Sequence, residues 1–317
     1  MSAFLLGRDR VASWDLGRGA TLTEATKKRH HVPSAPATFR SGLGVPKRTG
    51  LARFLPRGPI PSDETCEWMF TVYGWLLSNL GGMDSFKETP LVLPTDEFFP
   101  VVRSGSSKQL AKGLFERALE HAGLQDWDLD IRPLQDVGST AELFGAEVPF
   151  GLGAPRVGAL SGIKVDGDRY IIEYAPHLLE NSETFIAAIA YEFAHLLVAG
   201  FASETDLPGV DSVTGPLIEV AVTFLGFGVF SANSVFRLEG FQGNSTIGWN
   251  TSRLGELSEI EVSYALALFL ALKDEPFANA KQYLRSNPRS YAKAALRSIR
   301  RDSAPGLAEL RSISARS

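Results

Sequence analysis

The chain has 317 residues, 44% hydrophobic and 21% charged, which excludes a disordered or fibrous polypeptide and allows one large domain or two ordinary ones. Net charge is −4 but unevenly placed: residues 1–60 carry 11 Lys/Arg against three Asp/Glu, and the remainder carries 21 against 33. The single cysteine, Cys66, excludes an internal disulfide and a cysteine-ligated metal centre, and it points to a reducing compartment.

The opening "MSAFLLGRDR" has an apolar run too short for a secretory core. Leu217 to Phe236 has the length of a membrane span, but Glu219, Thr223, Ser231, Asn233 and Ser234 interrupt it. A buried helix is the better reading, so a cytoplasmic protein without membrane contact is expected. Residues 1–59 are basic and carry Pro33, Pro36, Pro46, Pro56 and Pro59, which predicts a disordered arm. Its "KKRHH" cluster, Lys27 to His31, reads first as a solvated tail, with contact to an acidic partner or to nucleic acid as the alternative. Without interleaved aromatic residues, nucleic acid is disfavoured as that partner.

Order is predicted to begin at Ser62, the cap of a helix with Asp63 and Glu64 in its first turn, ending at Gly81-Gly82. "PLVLPTDEFFP" (90–100) reads as a short strand and an aromatic turn. A helix over 107–122 follows, with Leu110, Leu114 and Ala118 inward, His121 outward and Gly123 as its stop. "IKVDGDRYIIEY" reads as a hairpin around Asp166-Gly167. Further helices are predicted over 182–199, 216–234 and 258–273, the last opened by the capping box Ser258-x-x-Glu261. A basic helix over 287–302 closes the domain 60–302, and 303–317 reads as a flexible tail.

The helix over 182–199 is apolar almost all round, which marks it as buried. Its polar stripe is Ala188, Tyr191, Glu192 and His195, at i, i+3, i+4 and i+7. A buried carboxylate and imidazole need partners, or they cost several kcal/mol. As a bare pattern, Glu-x-x-His favours a satisfied core pair over a metal site.

"YEFAH" (191–195) resembles the His-Glu-x-x-His signature of zincin metallopeptidases, with tyrosine in place of the first histidine. The resemblance implies Glu192 as general base, His195 as second zinc ligand and Tyr191 at the first-ligand position. Glu219 lies 24 residues after His195 in "GPLIEVAVTFLGFGVFSANSVF" and matches the third ligand of the gluzincin branch. The small stripe Glu219, Thr223, Gly226 would let its helix lie close to the YEFAH helix, with the glycines of "LGFGVF" as packing glycines. Hairpin, YEFAH helix and acid-bearing helix together resemble a gluzincin-type domain over roughly residues 61–300. They are similar to uncharacterised bacterial proteins with an intact motif, which the "LPTDEFFP" and "NPRSY" stretches also fit. The implied class is α+β, mainly helical, with a small antiparallel sheet before the YEFAH helix.

A phenol must lose a proton with a pKa near 10 before it binds zinc as imidazole does, so Tyr191 weakens or removes the metal. His177 and Asp211 are available to repair the site, though nothing in their spacing argues for it. Three readings stand. The first is a gluzincin-fold protein with weakened or lost hydrolysis that binds a peptide or protein. The second is an active metal-dependent peptidase or hydrolase with a Tyr/His/Glu ligand set. The third is a non-enzymatic interaction domain guided by the basic arm.

Overall fold

Helix α1 (Asp63–Asn79) starts where its cap predicts: the Ser62 hydroxyl accepts the Thr65 amide at 3.1 Å, and Asp63 and Glu64 fill the first turn. The computed structural model describes residues 59–100, 106–134, 161–166, 169–202, 215–234, 237–243, 246–252 and 256–314. The expected arm, apart from Pro59, lies outside these residues, as do His30, His31 and Asp211.

Gly81 and Gly82 both adopt left-handed backbone, with φ of 87° and 71°. They stop α1 as expected. They also open a short helix, α2 (Gly82–Glu88), which the glycine pair conceals in the sequence. The stretch after it, expected to begin with a strand, enters no sheet among the described residues; Val92 instead donates its amide to the Gly226 carbonyl at 3.0 Å.

Helix α3 (Ser107–His121) is opened by a capping box between Ser106 and Gln109. Leu114 and Ala118 are buried, and Leu110 is half-buried. His121, expected to face solvent, is half-buried. Its Nε2–H donates to the Phe98 carbonyl at 2.9 Å, and its ring packs on Phe98 and Phe99.

Strands β1 (Leu129–Pro133), β2 (Ser161–Asp166) and β3 (Arg169–Tyr174) form a sheet in the order β1-β3-β2. The predicted hairpin is β2–β3, antiparallel, with Asp166 opposite Arg169. The sheet is mixed rather than purely antiparallel, because β1 joins β3 in parallel. A 3-10 turn (Pro176–Glu180) then leads to α4 (Ser182–Ala202), where the Asn181 side chain accepts the Thr184 amide at 2.9 Å.

The segment predicted as one helix over 216–234 is three pieces: α5 (Gly215–Val222), a π-helical turn (Thr223–Phe227) and α6 (Gly228–Ser234). Gly226, at φ 90°, makes the break. A Cβ there would lie 2.0 Å from the Pro90 carbonyl oxygen, so only glycine admits the 90–92 segment at this distance. Residues 182–200 and 215–234 are long and apolar enough to cross a membrane, and 67% and 83% of their apolar windows are buried inside this fold.

A second hairpin, β4 (Arg237–Gly243) with β5 (Thr246–Ser252), precedes α7 (Glu259–Leu272). Helix α7 opens with the expected capping box of Ser258 and Glu261 and is buried from Val262 to Leu272. Short α8 (Phe277–Lys281) and long α9 (Ser286–Asp302) follow, α9 packed along α7. The region expected as a flexible tail instead forms α10 (Ala304–Arg311), which buries Leu307 and Leu310 against the core. Ser314 then bridges back to Gly82. The class is α+β: mainly helical, with a small mixed sheet whose strand β2 lies on α4.

Candidate functional site

Helix α4 buries Phe185, Ile186, Ile189, Phe193, Leu196 and Leu197 between α3, α5, α6 and β2, which leaves its polar stripe as the chemically distinct side. Glu192 is 5% exposed. Its Oε1 accepts the Ser161 hydroxyl at 2.7 Å, and its Oε2 lies 3.7 Å from His195 Nδ1. When the imidazole is protonated this is an ion pair in a largely dry setting, and the serine supplies the other donor the carboxylate needs. Tyr191 and His195 are both half-buried, their ring centroids 6.3 Å apart. Helix α4 thus brings Tyr191, Glu192 and His195 together, as their spacing predicts.

Ser161 is the partner that sequence reasoning missed. It opens β2, and the packing of β2 on α4 sets it over Glu192 from 31 residues upstream. No local pattern announces that contact.

Glu219 sits on α5 at 3% exposure. Its Oε1 accepts the Glu256 amide at 2.5 Å, and its Oε2 accepts the Leu257 amide at 3.2 Å. Those amides immediately precede Ser258, the cap of α7, so the carboxylate lies beside the N-terminal end of that helix. The rest of the small stripe looks the same way. Thr223 Oγ1 lies 3.1 Å from the Tyr73 hydroxyl, which donates to the Ala265 carbonyl of α7 at 2.9 Å. Gly226 meets Pro90, and a Cβ on Gly228 would press on Leu266. Helix α5 does lie against the YEFAH helix, as expected, and the glycines are packing glycines, but Gly226 and Gly228 themselves fit the 90–92 segment and α7.

His177 is exposed on the 3-10 turn before α4. Among the described residues, no three His, Cys, Asp or Glu side chains are placed to share a metal ion. Cys66 is buried, with its thiol directed at the Pro61 carbonyl at 3.9 Å. Burial pushes the Tyr73 phenol well above the ordinary tyrosine pKa, partly offset by its bond to Thr223. Comparison with protein-family models, curated proteins and solved structures returns no match.

Proposed function

We propose that this chain is a metallopeptidase-like protein of gluzincin type in which hydrogen bonds have taken over the groups that zinc chemistry would use. In this reading it acts by binding rather than by hydrolysis. The observation that carries it is the Glu219 carboxylate. Both of its oxygens accept hydrogen bonds from the Glu256 and Leu257 amides just ahead of α7, which gives the buried carboxylate donors without a metal ion. The residue at the first-ligand position is a phenol, a poor zinc donor near neutral pH. Glu192 accepts from Ser161 and adjoins His195. This donor set suits a hydrogen-bonded polar site better than a three-ligand zinc centre.

The half-buried Tyr191 and His195 give such a site an open side. Strand β2 ends the described sheet and pairs there only with β3. An extended peptide adding to β2 would run past Ser161 and the Glu192–His195 pair, which is the strand-addition mode of peptide recognition. The test is hydrolysis of an unfolded protein substrate with zinc added, by wild type and by Glu192→Gln. The reading expects no turnover above a protein-free blank from either. Turnover by wild type that disappears in Glu192→Gln would establish the active-hydrolase alternative.

A further inference from the structure

Helix α9 is cationic on one side and apolar on the other. Pro288, Ala292, Ala295, Leu296 and Ile299 are buried, and the helix lies along α7. The opposite face presents Ser286, Ser290, Lys293, Arg297, Arg300 and Arg301, all exposed, at the spacings that keep residues on one side of a helix. Arg301 pairs with its neighbour Asp302. Lys293, Arg297 and Arg300 have no ion pair or hydrogen bond among the described residues. Beyond residue 60 the chain carries 33 acidic against 21 basic side chains, so unpaired cations aligned on one face stand against the overall charge.

We propose that this face of α9 docks the phosphate backbone of duplex nucleic acid, independently of the α4 site. Arg, Lys and Ser are residue types that hold phosphate oxygens without reading sequence. At 1.5 Å per residue the stripe from Ser286 to Arg301 spans roughly 22 Å, long enough to meet several phosphates of a duplex with a charge about every 1.7 Å of axis. The packing argues against an anionic membrane. A helix lying in a bilayer surface buries its apolar face in lipid, and here that face is already buried in the protein. The stripe also lacks an aromatic platform, which disfavours single strands.

The test is fluorescence anisotropy of a labelled mixed-sequence duplex DNA with the full chain, at salt from about 50 to about 200 mM. The probe should bind with strong salt dependence. The variant Lys293→Gln/Arg297→Gln/Arg300→Gln should lower the slope of log affinity against log salt by about 2.7, some 0.9 per lost phosphate contact. The charge-preserving variant Lys293→Arg/Arg297→Lys/Arg300→Lys should bind like wild type. Circular dichroism confirms that these surface changes leave the fold intact. Three results would overturn the proposal. One is no binding at the lowest salt. Another is an unchanged slope in the glutamine variant, which would assign binding to residues 1–60. The third is equal, equally α9-dependent binding of poly-glutamate, which would make this a surface for acidic protein.

Discussion

Glu219 Oε1 accepts the backbone amide of Glu256 at 2.5 Å, tying α5 to the entrance of α7 across 37 residues of sequence. The neighbouring Leu257 amide binds the other oxygen. Glu219→Ala should leave both amides without this acceptor, the Leu257 amide in a buried place, and destabilise the fold by about 2–3 kcal/mol. Glu219→Gln keeps one acceptor but turns an amide donor toward a backbone donor, so it should cost about 1–3 kcal/mol. Urea denaturation measures both. A change under about 0.5 kcal/mol for either variant would show that the carboxylate is not structural.

The Ser161–Glu192 bond predicts a coupled pair. Ser161→Ala should cost about 1–3 kcal/mol, because it removes a donor from a buried carboxylate. With Glu192→Gln in the background the serine should matter less, giving an interaction energy of about 1 kcal/mol in a double-mutant cycle. Additive effects would mean that the two side chains do not meet in solution.

Two glycines should respond oppositely to alanine. Gly226→Ala drives a Cβ into the Pro90 carbonyl and strains a left-handed residue, so it should cost more than about 3 kcal/mol. Gly200, exposed near the end of α4, has nothing within 4 Å of the position its Cβ would take. Gly200→Ala should therefore be neutral or stabilise by up to about 1 kcal/mol. Thermal melts of the two variants moving in the same direction by similar amounts would contradict the packing described at Gly226.

How much of this was legible in the sequence depended on whether the cause was local. Ser62, Gly81, Asp166-Gly167 and the Ser258/Glu261 box act within a few residues of themselves, and each marks a boundary where the structure has one. Helix α10, in the stretch read as a flexible tail, is short, and its Pro305 and Gly306 give little helical signal, although proline suits a first helical turn. The π-helical turn was hidden because its Leu, Gly and Phe look the same in a straight buried helix; only the fit of Pro90 against Gly226 decides the break. On α4 the polar stripe was readable from its spacing. The partners of Glu192 and Glu219 were not, since Ser161 and the 256–257 amides are fixed by tertiary packing alone.

Tyr73 gives the fold an alkaline limit. Burial raises its folded-state pKa well above the unfolded value near 10, so the folded protein keeps the proton after the unfolded chain has lost it. Stability from this group is fully present below pH 10 and declines as pH rises through the gap. At pH 11 the loss should be about 1.4 kcal/mol, and it should be absent from Tyr73→Phe when both proteins are compared with their own values near pH 8. Equal alkaline losses in the two proteins would assign the effect elsewhere.

Metal content tests most directly whether hydrogen bonds occupy the groups that a zinc ion would need. Protein purified without chelator should carry well under one zinc per chain by inductively coupled plasma mass spectrometry. Tyr191→His should remain below one equivalent, because Glu219 stays bound to the amides that precede α7. One tightly held zinc per chain in the wild-type protein, retained through dialysis, would contradict the account.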